Sequence, residues 1–378
     1  MRYERMPIEV ESPEEIGYNT IRYNLSESSI TDQRLSDFGL VLPDIPLVYN
    51  EHRGSEMLRS LVVEGTPGLS AADVLITGGA AGALFIVSTA LLSARDHLVV
   101  VRPNYATNLE TPRAIACDIS FLDLSFEQGF RLDIEALSAL LRPETKLISI
   151  TCPHNPTGVM LTEDELRQVV DLARKNGSVL VVDETYRDLS LDAALPLAAS
   201  LGSHVISVSS LSKAYGVPGI RLGWLITSNP KLQELFLAAK EQISICGSVL
   251  HEWIGENILM HRSVFLDATL RKMHHRRRIV DRDDLAARAV RERAAGRVVA
   301  LQVAGDPAAA VQPHDERQQA RARHAACRRA RARAGRRHPA RRNRRRRRRA
   351  RRPPAPRLPA ARGRPRGSAR RSAGPAAH

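Results

Sequence analysis

The sequence predicts an α/β protein built on a mostly parallel, seven-stranded sheet covered by helices. Two observations carry that prediction. Short β-branched or Leu-rich runs, apolar on both faces, alternate with helix-length segments, as they do when helices cover both sides of a parallel sheet. The helix boundaries between them are marked by capping residues rather than left to periodicity alone. A third observation limits the prediction: this pattern stops near residue 280, where the composition changes abruptly.

Taken in order, residues 1–45 are polar and irregular and read as an N-terminal arm. A large domain is expected over 46–265. It opens with Leu47-Val-Tyr-Asn-Glu-His-Arg-Gly54 and a helix beginning at Ser55. Strands are predicted at 74–77, 97–101, 119–122, 146–151, 178–183, 204–208 and 222–226. Thr162-Glu-Asp-Glu165 is a capping box: threonine accepts from the third residue's amide, and the glutamate reaches back. Asn229-Pro230 opens another helix with proline in its first turn, where no backbone donor is needed. Residues 266–311 read as a linking helix and the remnant of a small domain.

Charge divides the chain in two. Of 56 Lys+Arg and 41 Asp+Glu, 30 and 7 follow Val280, so residues 1–280 carry a net −8 and residues 281–378 a net +23. No aromatic residue follows Phe265 and no lysine follows Lys272; Arg344 to Arg349 is an unbroken arginine run. Residues 312–378 hold too little apolar surface to offset the entropy of ordering and are expected to be disordered. No apolar stretch reaches the ~20 residues needed to span a bilayer. The opening, Met1-Arg-Tyr-Glu-Arg-Met-Pro7, lacks an apolar signal core. Cys117, Cys152, Cys246 and Cys327 lie far apart, without metal-ligand spacing, and fit thiols in a reducing, cytoplasmic setting.

The chemistry centres on Ser210-Leu-Ser-Lys-Ala-Tyr-Gly-Val-Pro-Gly-Ile-Arg-Leu-Gly223. Lys213 stands in a turn after an apolar strand, and Arg221 follows eight residues later between two glycines. A lone lysine in a turn is ordinarily a solvated charge; here it is an accessible amine with a guanidinium placed to hold an anion. Upstream, Thr77-Gly-Gly-Ala-Ala-Gly-Ala-Leu84 leaves a strand and opens a helix, where small residues and the helix dipole favour an anion. It has neither the GxGxxG of a dinucleotide site nor the Gly-Lys-Ser/Thr of a P-loop. Asp183 ends a strand in Asp183-Glu-Thr-Tyr186, and Asn155 lies in Cys152-Pro-His-Asn-Pro-Thr-Gly158, 28 residues earlier.

Together these segments resemble the class I/II aminotransferases, pyridoxal 5'-phosphate (PLP) enzymes of fold type I. The resemblance runs from about residue 25 to 280. It implies that Lys213 holds the cofactor's aldehyde and then, once released, moves the substrate's α-proton as a base. Asp183 would keep the pyridine nitrogen protonated, and Tyr186 and Asn155 would donate to the phenolate. The phosphate would rest on the amides of Gly79, Ala80 and Ala81, the Ser210 hydroxyl and the Arg221 guanidinium, whose planar fork suits it. Tyr105, in Pro103-Asn-Tyr105, would stack on the pyridine face. Tyr49 would reach the phosphate of a neighbouring subunit, which implies a homodimer. The implied reaction is a ping-pong transfer of an amino group between an L-amino acid and a 2-oxo acid.

Two departures from the family pattern stand out. The arginine that grips the substrate's α-carboxylate, in a small domain after about residue 280, cannot be placed. The basic end could bind nucleic acid non-specifically through phosphates. Its Arg/Ala/Pro/Gly composition fits an out-of-frame reading of GC-rich DNA better, with the small domain missing or degraded and activity impaired. Where dicarboxylate-specific relatives carry a second arginine, this chain reads Ile245-Cys-Gly-Ser248, against aspartate or glutamate as substrate. Glu27, in the arm, reads first as a solvated glutamate and second as a partner for a cationic substrate. Lyase, decarboxylase or oxidase chemistry on the same fold is the first rival; a degenerate enzyme domain with a nucleic-acid-binding tail is the second.

Overall fold

A computed structural model describes residues 1–22, 24, 27–190 and 194–278. The expected small-domain remnant after 278 and the basic tail lie outside the described residues. One seven-stranded sheet organises the rest. In chain order its strands are β1 (Val74–Thr77), β2 (His97–Arg102), β3 (Asp118–Asp123), β4 (Thr145–Thr151), β5 (Val179–Asp183), β6 (Val205–Ser210) and β7 (Gly223–Ile226). Their spatial order is β1-β7-β6-β5-β4-β2-β3, and only β7 runs antiparallel to its neighbours. All seven predicted strands are present, with ends displaced by one or two residues.

Helices among the described residues include α1 (Pro7–Val10), α2 (Pro13–Ile16), α3 (Glu56–Val62), α4 (Gly79–Leu91), α5 (Ala106–Ile115), α6 (Ile134–Leu140), α7 (Glu163–Asn176), α8 (Pro230–Ser244) and α9 (Val249–Met260), and residues 262–278 are helical as well. Their caps are the ones the sequence marks. Ser55 accepts from the amide of Leu58, Thr162 and Glu165 form the reciprocal box, and Asn229 accepts from Lys231 and Leu232. The arm differs from its reading as irregular chain: it folds into the single turns α1 and α2 and into 3₁₀ turns at Tyr18–Thr20 and Leu35–Phe38. Pro13 and the carboxylates of Glu14 and Glu15 in the first turn favour α2.

Helices cover the sheet on both faces, so the central strands are buried on both sides. Ile148, Ile150, Leu180 and Val182 belong to one apolar cluster with Leu166 and Val169 of α7, while Leu147, Val181, Ile206 and Val208 pack on the opposite face with Leu84 and Val87 of α4. This geometry makes both faces of each strand apolar and leaves polar groups at the strand ends. Thr151 pairs with Asp183, and Asp183 with Val208, so β4 and β5 finish level and β6 runs two residues further, to Ser210. Among the described residues no helix is long and apolar enough to cross a membrane.

Candidate functional site

At that shared edge the sheet delivers the polar residues singled out by sequence. Asp183 is the last residue of β5 and is 4% exposed. One carboxylate oxygen accepts from the Thr185 amide at 3.1 Å and the Thr185 hydroxyl at 2.6 Å; the other accepts from Asn108 at 3.5 Å. Burial pushes its pKa up, and those donors oppose the rise by favouring the anion. Asn108 is itself held by Asn104, which also accepts from the Thr151 hydroxyl. Neither Asn108 nor Thr185 was singled out by sequence. The Asp-x-Thr turn and the Asn104/Asn108 pair, one helical turn apart, were the available signals.

Lys213 follows β6 by three residues. Its amine donates to Ser28 Oγ at 3.2 Å and lies 3.5 Å from Glu27 Oε1. Tyr186, three residues past Asp183, donates its phenolic hydrogen to the same Ser28 Oγ at 3.0 Å. One hydroxyl of the arm thus joins the lysine and the tyrosine that the two adjacent strands present. Sequence reasoning missed Ser28. Glu27, read first as solvated, is exposed, and its carboxylate also pairs with Lys213 because backbone bonds lay the arm against the lysine turn.

The anion cradle forms where α4 begins. Gly78 occupies the N-cap and offers no side-chain acceptor, so the amides that follow have no side-chain cap. Gly79 has φ +78°, and a Cβ there would lie 2.5 Å from the Arg221 guanidinium. Gly223 is equally constrained, because a Cβ would fall 2.5 Å from the carbonyl carbon of Gly79. Arg221, at φ +48°, donates to the Pro218 carbonyl at 2.8 Å and to the Ser212 hydroxyl at 3.5 Å. The guanidinium therefore sits on the helix start, with Ala80 and Ala81 as the next two residues. Ser210 is 3% exposed, and its hydroxyl accepts from the Ser212 amide at 3.3 Å; Ser212 is the serine in contact with Arg221.

Tyr105 caps α5. Burial raises its pKa, a bond with the Thr107 side chain opposes that, and the charges of Arg221 and Asp183 both reach its phenol. Asn155 is half-buried in the loop after β4. The adjacent His154 ties that loop to the Tyr105 loop: Nε2 donates to the Pro103 carbonyl at 2.9 Å, and Nδ1 accepts from Thr157 at 2.8 Å. Tyr49 stands apart, 82% exposed in an extended segment. Among the described residues no cluster of His, Cys, Asp and Glu could hold a metal ion.

These residues fit PLP on the structure's own terms. An uncapped helix start with an arginine packed on it suits a phosphate, and a buried, donor-supported carboxylate suits a ring nitrogen that carries a proton. Comparison with known proteins agrees. Capreomycidine synthase of Streptomyces vinaceus is 30% identical over 229 residues, 60% of this chain and 58% of that protein. The chain spans about half the length of the curated relatives it matches. A PLP-dependent aminotransferase from Streptococcus suis superposes with a TM-score of 0.69 at 26% identity, over 75% of this chain and 77% of that one. The PLP-dependent cyclase OrfR superposes with a TM-score of 0.65 at 25% identity, over 76% of each chain. The family model for aminotransferase class I and II matches residues 61–289, more than half of the sequence, and it spans the strands, the lysine turn and the cradle just described. The chain belongs to that family.

Proposed function

We propose that the chain is a PLP-dependent aminotransferase that moves an amino group from an L-amino acid to a 2-oxo acid in two successive half-reactions. The observation that carries this reading is the meeting of Lys213 and Tyr186 on one hydroxyl, beside the buried carboxylate of Asp183. When bound, PLP supplies an aldehyde that condenses with amines and a ring that draws electrons from the substrate's Cα. The protein's residues supply the rest. Arg221 and the amides at the start of α4 hold the phosphate and so fix the reacting carbon. Asp183 would hold a proton at the pyridine nitrogen, with Thr185 and Asn108 fixing its carboxylate in place and opposing the rise in its pKa that burial causes. Tyr186 and Asn155 donate to the phenolate oxygen, and Tyr105 covers the ring. Lys213 would be the amine that holds the aldehyde, and the same amine, on a short tether, would move the proton at Cα as a base.

A second reading rests on the two similar proteins named as a synthase and a cyclase. The same lysine, aspartate and arginine would serve elimination or ring closure as well, because they would hold the cofactor and move the Cα proton whatever step follows. Product analysis separates the two: turnover that needs a 2-oxo acid acceptor supports transamination, and turnover without one overturns it. The cofactor assignment itself is tested by borohydride. Full-length protein incubated with PLP is expected to show visible absorbance that reduction bleaches and leaves covalently attached. Lys213→Ala is expected to lose that attachment, and its persistence would refute the role of Lys213.

The same reading includes a homodimer in the cytoplasm. Val41, Leu47, Val48 and Tyr49 are each more than 60% exposed in the single chain, an apolar strip of the kind a subunit interface covers. Sedimentation at the mass of one chain, with PLP bound, would count against it.

A further inference from the structure

Glu27 is exposed, yet its carboxylate is paired with Lys213, and the arm is built to keep it there. The amide of Ile30 donates to the carbonyl of Lys213 at 3.3 Å, and that of Gln33 to the carbonyl of Gly216 at 2.8 Å. Gly216 has φ +64°, and a Cβ there would come within 2.6 Å of the Thr31 carbonyl oxygen. Only glycine admits the arm this close, so residues 27–33 form one wall of the site. Ser28 bonds both Lys213 and Tyr186, which fixes its neighbour Glu27 beside the lysine amine at 3.5 Å. About three-tenths of each side chain of that ion pair is exposed, so the carboxylate is open to approach from outside beside the lysine amine.

Two further carboxylates, Asp32 and Glu14, share the field of Glu27 and Lys213. Asp32 is raised in pKa first by burial and then by Glu27 and Glu14, and the Lys213 ammonium opposes the rise. Glu14, on α2, is held low chiefly by its backbone hydrogen bond, with Lys213 contributing. All three carboxylates thus share the lysine as a counter-charge. If the proposed function holds, Lys213 commits its amine to the cofactor's aldehyde and no longer serves them as a free ammonium. An arriving substrate then meets a carboxylate at 27 that has lost its cationic partner and keeps the neutral donors of the Ser28 amide and Ser29 hydroxyl, with Asp32 and Glu14 nearby.

We propose that Glu27 is a specificity-determining residue that selects amino donors whose side chain ends in a cation, a guanidinium or an ammonium. This rests on the PLP reading of the site. Restoring the lost counter-charge from the substrate gives a charge-assisted hydrogen bond, and a dicarboxylate substrate is repelled by the same group. A neutral isostere of the cationic side chain forfeits the gain.

The test uses the full chain loaded with PLP and two donors of nearly equal shape, L-arginine and its neutral isostere L-citrulline. Dissociation constants and first half-reaction rates are read from the change in cofactor absorbance. Arginine is expected to be favoured about tenfold, the size of one partly solvated charged hydrogen bond. Glu27→Gln is expected to bring the arginine-to-citrulline ratio to within about twofold of one, and Glu27→Arg to invert it and admit L-glutamate. A ratio near one in the unaltered protein, or a ratio unchanged by Glu27→Gln, overturns the proposal while the PLP reading stands. Absence of any borohydride-sensitive absorbance in the unaltered protein removes both.

Discussion

At Asp183 a buried charge has to be kept useful. Desolvation raises its pKa, and a neutral carboxylic acid could not anchor a protonated ring nitrogen. Two donors from Thr185 and one from Asn108 oppose that rise by favouring the anionic form, and neither residue carries a charge of its own. Asp183→Asn keeps the shape and removes the charge. The rate of exchange of the substrate's α-proton for deuterium is expected to fall by about 10²–10⁴-fold, with the cofactor still bound. An exchange rate within a few-fold of the parent would mean that Asp183 is structural. The sequence offered Asp183 because a charged residue ends an otherwise apolar strand. It did not offer Asn108, which looks like any helix-entry asparagine until β2 and β5 fold around a common strand. Ser28 was illegible for a similar reason: it meets Tyr186 across 158 residues of chain, and no local pattern encodes such a contact.

The elements themselves were readable because their signals are local. Continuous apolar runs marked strands buried on both faces, and capping residues marked helix starts within a residue. Strand ends moved by one or two residues because pairing with a neighbour, not composition, decides where a ladder stops; β3 extends to Asp118 and Asp123 through its pairing with β2. The turn between β1 and α4 shows an element specified by what it excludes. Gly79 must adopt a left-handed φ, and its missing Cβ is the space that Arg221 occupies. Gly79→Ala is expected to cost about 1–3 kcal/mol of stability from backbone strain. The displaced guanidinium adds a second effect, an increase of about tenfold or more in the PLP dissociation constant. Gly82→Ala, three residues on, serves as the control, because a Cβ there would approach only Thr77, at 3.8 Å. Equal effects of the two substitutions would show that the cradle is not a phosphate site.

Across the whole molecule, burying ionisable groups gives the fold a pH dependence of its own. Glu184, beside Asp183 but on the other face of the strand's end, accepts from the Ala198 amide at 3.3 Å through one oxygen. Its second oxygen is buried without a partner among the described residues, and burial raises its pKa to about 7. The folded form therefore binds a proton that the unfolded form has released between pH 4.5 and about 7. Stability from this group is full below pH 4.5 and is lost as pH rises through 7, by roughly 3 kcal/mol in all. Lys240 acts in the opposite sense. It is buried on α8 with its ammonium on the His52 carbonyl, and burial lowers its pKa from 10.5 to about 8. The unfolded form holds that proton longer, so stability rises between pH 8 and 10.5. The two groups together predict a minimum of stability between about pH 7 and 8 in the cofactor-free protein. Glu184→Gln keeps the side-chain volume and cannot ionise. It is expected to flatten the fall between pH 5 and 7 and to raise the urea midpoint at pH 8 while leaving the rise above pH 8 intact. Urea unfolding at one-unit pH steps measures both limbs, and an unchanged acid limb would place the responsible proton on another buried carboxylate, with Glu252 the next candidate because its pKa too is raised by burial.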